Sequence, residues 1–157
     1  MVQKLYYKED GMATTSTAEV IRVGGLVIRF LVEAEATAGT AALFEFDVPA
    51  GARVPSAHSH DRYEETLYGV RGTTTWTVDG VMTDVGPGEA LAVPRGAVHR
   101  FENAGTEDAT VLAVVTPGLL CPAYFRELSV ILNVDGPPDF AAVLDVMRRH
   151  GLTPADR

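Results

Sequence analysis

Three of the chain's four histidines, His58, His60 and His99, fall between Gly51 and Asn103 together with a carboxylate pair, Glu64 and Glu65. Neutral imidazole nitrogens and an ionised carboxylate are donors that suit a borderline divalent ion such as Fe, Mn, Ni, Cu, Co or Zn, whereas Ca and Mg prefer oxygen alone. On an extended strand, residues two apart point to one face, so His58 and His60 of His58-Ser59-His60 project together. The glutamates follow after a short turn, at the start of an apolar strand. His99 arrives much later, behind the turn sequences Gly86-Pro87-Gly88 and Pro94-Arg95-Gly96. Three histidines and one glutamate would supply four ligands to one ion. If that ion is octahedral, two adjacent positions stay open for water, dioxygen or a chelating substrate.

The elements that must position these groups read as short strands. Residues 19–23 and 26–32 are β-branched and apolar around Gly24-Gly25, which predicts two strands joined by a tight turn or bulge. Residues 33–40 read as a loop. Ala42, Phe44, Phe46 and Val48 alternate with Leu43, Glu45 and Asp47, a half-buried strand with its aromatics inward. Residues 73–78 form a Thr-rich strand carrying the single tryptophan, Trp76, and Asp79-Gly80 before residues 81–85 is a two-residue hairpin signal. Residues 90–93, 98–103 and 109–116 complete the set. Many short strands with Gly and Pro turns indicate an all-β sandwich or barrel.

After residue 116 the period changes to that of helices. Residues 122–133 and 138–150 repeat apolar groups at helical intervals, and Gly151 supplies a stop. These two amphipathic helices are expected to cover the barrel's outside or to lie across its mouth as a lid. Tyr124 and Phe125 are adjacent, about 100° apart on a helix, so one should face the pocket and the other the sheet. Residues 1–18 are polar and predict a loose arm or a short edge strand. His150, at a helix C-terminus, reads as a cation favourable to the helix dipole.

Length, charge and cysteine usage narrow the classes further. At 157 residues the chain fits one domain, 1–157, with a barrel core at about 19–116 and a helical segment at about 122–151. A net charge of −8 argues against a nucleic-acid or anionic-membrane surface and favours a small-molecule partner. No apolar run approaches the roughly 20 residues of a membrane span, and the first residues lack a signal-peptide core, so the expected location is cytoplasmic. Cys121 is the sole cysteine, which excludes an intrachain disulfide and a thiolate cage. It reads as an ordinary half-buried thiol.

Taken together, the two motif segments resemble the paired motifs of the cupin superfamily. The second runs Gly88, five residues, Pro94, one, Gly96, two, His99, three, Asn103. The first runs His58-x-His60, four residues, Glu65, six residues, Gly72, with six residues between Gly51 and His58. The resemblance implies a double-stranded β-helix, or jelly-roll barrel, followed here by two C-terminal α-helices. It also implies one divalent transition metal held by His58, His60, Glu65 and His99. Glu65 is preferred to Glu64 because six residues separate it from Gly72; Glu64 should then face outward, solvated or paired with Arg62 or Arg71. Phe44, Phe46, Trp76, Phe101 and Phe125 are the candidate pocket residues, an aromatic lining suited to a planar organic substrate. The leading expectation is a metal-dependent dioxygenase acting on a small aromatic or enolisable substrate chelated at the metal. The alternatives are a non-redox metal-dependent isomerase, cyclase or hydrolase, or a non-catalytic ligand-binding module, since one fold hosts unrelated chemistries. A homodimer is expected, because an open apolar sheet edge would otherwise stay unpaired.

Overall fold

A computed structural model describes residues 3–7, 13–54 and 56–155, with side chains from residue 18 onward. Residues 1–2, 8–12, 55 and 156–157 lie outside the described part, including a portion of the expected N-terminal arm. The described arm residues form an antiparallel strand pair, β1 (Gln3–Tyr7) and β2 (Ala13–Thr17), where the composition allows a loose arm or a short edge strand. The succeeding strands are β3 (Val20–Val23), β4 (Leu26–Val32), β5 (Ala42–Val48), β6 (His58–His60) and β7 (Glu64–Arg71). Next come β8 (Thr74–Val78), β9 (Val81–Val85), β10 (Ala90–Val93), β11 (His99–Glu102) and β12 (Ala109–Thr116). Helices α1 (Pro122–Leu132) and α2 (Phe140–Arg149) follow, and β13 (Leu152–Pro154) closes the order. A short 3₁₀ turn, Ala34–Thr37, interrupts the loop expected at residues 33–40.

Two antiparallel sheets make the double-stranded β-helix. One has the order β10-β7-β12-β5-β4-β3 and the other β13-β6-β11-β8-β9. Period-2 patterning drives the first: on β5, Ala42, Phe44, Phe46 and Val48 are buried while the residues between them are half-exposed. Their rings carry the core across to the opposite sheet. Phe30 packs on Phe44 with ring centroids 4.8 Å apart, Phe44 on Phe46 at 5.2 Å, Phe46 on Phe101 at 5.4 Å and Phe101 on Trp76 at 4.5 Å. Each such buried side chain contributes about 1.5–3 kcal/mol of transfer free energy. That burial fixes the spacing of the two sheets from which the site is built.

Turn chemistry sets the registers. Asp79 and Gly80 both take positive φ, 45° and 81°, as a two-residue hairpin between twisted strands requires. Asp79 also accepts from the Val98 backbone N–H through Oδ1 at 2.8 Å and donates its own N–H to the Val98 carbonyl at 2.8 Å, which pins the chain immediately before His99. Gly72 has φ +63°, and a Cβ there would stand 2.6 Å from the Asp108 carbonyl oxygen, so both backbone angle and space demand glycine.

The C-terminal segment does more than cover the outside. α1 packs on β3 and α2 on α1, and the six residues after α2 bring β13 alongside β6 with the registers Leu152↔His60, Thr153↔Ser59 and Pro154↔His58. Its strand of three residues was too short to show a period in the sequence. His150 ends α2 and meets Glu127 of α1 through Nε2, 2.8 Å from Oε1, so it ties the helices together. Phe140, the first residue of α2, is 44% exposed, while Val143, Val146 and Met147 of the same helix are buried. No helix of the described residues is long and apolar enough to cross a membrane.

Candidate metal centre

Strand β6 carries His58 and His60, and its partner β11 places His99 directly opposite His58. The three rings converge, with centroids 4.5 Å apart for His58 and His99, 4.6 Å for His60 and His99 and 5.8 Å for His58 and His60. One nitrogen from each lies within 4.8 Å of the others, the only such group of three or more among the described residues. Glu65 comes from the opposite sheet, where β7 holds it between Val93 of β10 and Val115 of β12. Its Oε2 stands 3.3 Å from His60 Nε2 and 3.5 Å from His99 Nε2. The carboxylate therefore lies against the histidine triad from across the barrel.

The outer nitrogens settle which ring atoms face the centre. His58 Nδ1 lies 3.2 Å from the Ser56 carbonyl, His60 Nδ1 3.3 Å from that of Tyr63 and His99 Nδ1 3.0 Å from that of Ala97. A carbonyl can only accept, so each Nδ1 carries a proton, which leaves Nε2 as the atom each ring offers to an incoming ion. Such backbone anchors orient imidazoles for a metal. The residues fit a divalent transition ion: three imidazole nitrogens and a buried carboxylate with no Arg or Lys partner among the described residues.

Electrostatics agree with that donor set. Burial pushes the Glu65 carboxyl up, but hydrogen bonds from His60 and His99 outweigh it and hold the group down at about 2, so it is ionised. Burial, helped by the charge of His99, lowers His58 to about 3 and keeps it neutral. His99 is also penalised by burial, yet its bond to Glu65 prevails and raises it above the usual imidazole value. Burial, with the Glu65 charge adding to it, raises the hydroxyls of Tyr63 and Tyr124, so both stay protonated.

Above the triad opens a cavity of about 310 Å³. Phe46, Trp76, Phe101 and Phe125 line it, as the sequence led one to expect. Phe44 does not. It shares a face with Phe46 but lies two residues further along β5, enclosed by Phe30, Phe46 and Phe125. Tyr124 and Phe125 both reach the cavity, against the expectation that only one would. A 100° divergence separates neighbours on a helix lying across a mouth without turning either one away. Leu128, Val143, Met147 and Leu152 complete an apolar wall from the C-terminal segment.

Other side chains depart from the sequence reading in their partners. Glu64 does face outward, but it pairs with Arg95, whose Nη2 lies 2.9 Å from Oε2, instead of Arg62 or Arg71. The cause is the β10–β7 register, which sets Val93 against Glu65 and brings the following turn beside Glu64. Tyr63 was overlooked, although a large aromatic within the polar turn Asp61-Arg62-Tyr63-Glu64 was a legible signal. Cys121 is half-buried at the start of α1. Asn103, the last residue of the second motif, is structural: buried at 1% exposure, it donates through Nδ2 to the carbonyls of Val48 and Glu107 and accepts from Gly105 N–H. Its backbone N–H donates to Ala52 and its carbonyl accepts from Gly51, which seats the six-residue approach to His58 along β11.

Comparison with known proteins agrees with this architecture. The family profile described as Cupin domain matches residues 44–115. The tetracenomycin polyketide synthase protein TcmJ of Streptomyces glaucescens is 30% identical over 106 residues, 68% of this chain and 70% of that protein. Quercetin 2,3-dioxygenase of Bacillus subtilis is 34% identical over 80 residues, 51% of this chain but only 23% of that longer protein. Among solved structures, a predicted oxalate decarboxylase of Thermotoga maritima superposes with a TM-score of 0.58 at 25% identity, covering 64% of this chain and 92% of that one. With its paired motifs, two-sheet barrel and converging histidines, this chain belongs to the cupin family.

Proposed function

We propose that the chain is a metal-dependent dioxygenase acting on a small, flat, hydroxylated or enolisable organic substrate. The observation that carries this reading is the set of three carbonyl-anchored imidazoles whose Nε2 atoms, with the Glu65 carboxylate, face the floor of an aromatic cavity. His58, His60, His99 and Glu65 would hold one divalent ion, which if redox-active would supply the electron-transfer chemistry that dioxygenation needs. The rest is the chain's own work. Trp76 and Phe101, stacked 4.5 Å apart with their planes at 25°, offer a flat apolar wall to an aromatic substrate. Phe125 and Leu128 from α1, with Val143 and Met147 from α2, line the cavity with apolar surface that reduces its exposure to water. Buried Glu65 stays ionised beside His60 and His99, so it is ready as a fourth ligand whose charge would offset that of the ion.

Similarity to quercetin 2,3-dioxygenase supports this chemistry. A second reading has its own support: the match to a polyketide synthase protein covers 70% of that relative, which favours non-redox cyclisation of an enolisable polyketide at a Lewis-acidic ion. Loading the protein separately with Fe, Mn, Ni, Cu, Co and Zn and following oxygen consumption with flavonols, catechols and 1,3-diketones separates them. Oxygen uptake with label from ¹⁸O₂ in the product supports dioxygenation. Turnover without oxygen uptake, equally good with zinc, supports the second reading and overturns the first. We also read the protein as a homodimer, on the exposed Tyr68 and Val70 of the outer sheet face; sedimentation as a monomer would refute that.

A further inference from the structure

Tyr63 is the least satisfied polar group in the cavity wall. It is 1% exposed, and among the described residues its buried Oη has no hydrogen-bond partner. Buried hydroxyls in folded proteins are nearly always bonded, because an unmade bond costs stability. The residue is also rigidly held. Its ring stacks on His60 with centroids 4.2 Å apart and planes at 19°, and its carbonyl accepts from His60 Nδ1. The side chain stacks on His60 and borders the cavity, and its unpaired hydroxyl is sealed from water in the empty protein, so a ligand reaches it only with a small shift of the wall.

We propose that Tyr63 Oη donates a hydrogen bond to an anionic oxygen, enolate or phenolate, of the substrate bound at the metal centre, and so selects ligands that carry one. The inference rests on the metal-centre reading given above. A phenol hydroxyl donates at neutral pH, and a bond to an anionic oxygen is roughly twice as strong as one between neutral groups. No group among the described residues accepts from this hydroxyl, so its acceptor is to come from the ligand. The hydroxyl thus weakens the empty protein and strengthens the complex.

That opposition gives the test. Wild type, Tyr63→Phe and the outer-face control Tyr68→Phe are loaded with zinc, which binds without redox chemistry, and titrated with 4-nitrocatechol by absorbance. We expect equal zinc content in all three, and in the metal-free Tyr63→Phe protein a melting midpoint at or above that of wild type. Its 4-nitrocatechol affinity should fall about tenfold, equivalent to about 1.4 kcal/mol, while Tyr68→Phe changes neither quantity. Unchanged affinity in Tyr63→Phe overturns the proposal, as does a lowered midpoint with unchanged affinity, the signature of a hydroxyl satisfied by ordered water. Failure of zinc-loaded wild type to bind 4-nitrocatechol refutes the site reading itself and this inference with it, whatever the variant does.

Discussion

Replacing Asn103 tests whether the motif's final residue holds the barrel closed. Its side chain makes three bonds, at 2.9 Å to the Val48 carbonyl, 2.8 Å to that of Glu107 and 3.0 Å from Gly105 N–H. At about 1 kcal/mol net for each bond, Asn103→Ala should destabilise the protein by about 3 kcal/mol. For a chain of this length that lowers the melting midpoint by about 6–12 °C. Asn103→Asp sharpens the test. Aspartate can still accept from Gly105, but it turns a second carboxylate oxygen toward two carbonyl oxygens, so at neutral pH it should be less stable than the alanine variant. The carbonyl oxygens raise the folded-state carboxyl above its reference value of about 4, so the deficit should shrink as pH falls through that raised value toward about 4, where the carboxyl is protonated and can donate again. Urea unfolding with an unchanged m-value reads both effects. A loss under about 1 kcal/mol in Asn103→Ala, or an aspartate variant as stable as wild type, would refute the reasoning.

Other consequences follow from the same geometry. Ending the chain after Gly151 removes β13 and frees the outer edge of the His58–His60 strand; metal should dissociate faster from that variant, and an unchanged release rate to a chelator would show that β13 does not brace the site. In the metal-free protein the Glu65 carboxylate raises His99, so at neutral pH an incoming ion must displace a proton there. Metal affinity should climb with pH from the reference imidazole value of about 6.5 through the raised value of His99 and then level off, with proton release detectable by calorimetry in two buffers. Binding without proton release would contradict this. His58, lowered to about 3, acts on stability in the opposite sense: only the unfolded chain gains its proton as pH drops below about 6.5, so the metal-free protein should weaken progressively on acidification toward pH 3. A melting midpoint that is flat across that range would count against the buried neutral imidazole.

Much of the barrel was legible because its signals are local. The alternation from Ala42 to Val48, the Asp79-Gly80 turn and the His58-x-His60 spacing each dictate a conformation within a few residues, and the strands follow them. The convergence of His99 on His58 also follows from strand parity once the two strands pair. What stayed hidden depends on where distant segments meet. Leu152–Pro154 has no periodicity of its own and becomes a strand only because β6 offers it an edge. Phe44 and Phe46 look alike in the sequence, and only the seating of α1 decides that one is core and the other cavity wall. The Glu64 partner was misjudged because proximity in sequence favoured Arg62 and Arg71, whereas the β10–β7 register brings Arg95.

The central claim is that His58, His60, His99 and Glu65 together hold one divalent ion. X-ray absorption of protein loaded with zinc and freed of excess metal tests it most directly, because imidazole rings add outer-shell scattering that can be counted. The expected spectrum has three imidazoles with zinc–nitrogen distances of about 2.0–2.1 Å and an oxygen at about 2.0–2.2 Å, at one ion per chain. Substoichiometric zinc, or a first shell with fewer than three imidazoles, would contradict it.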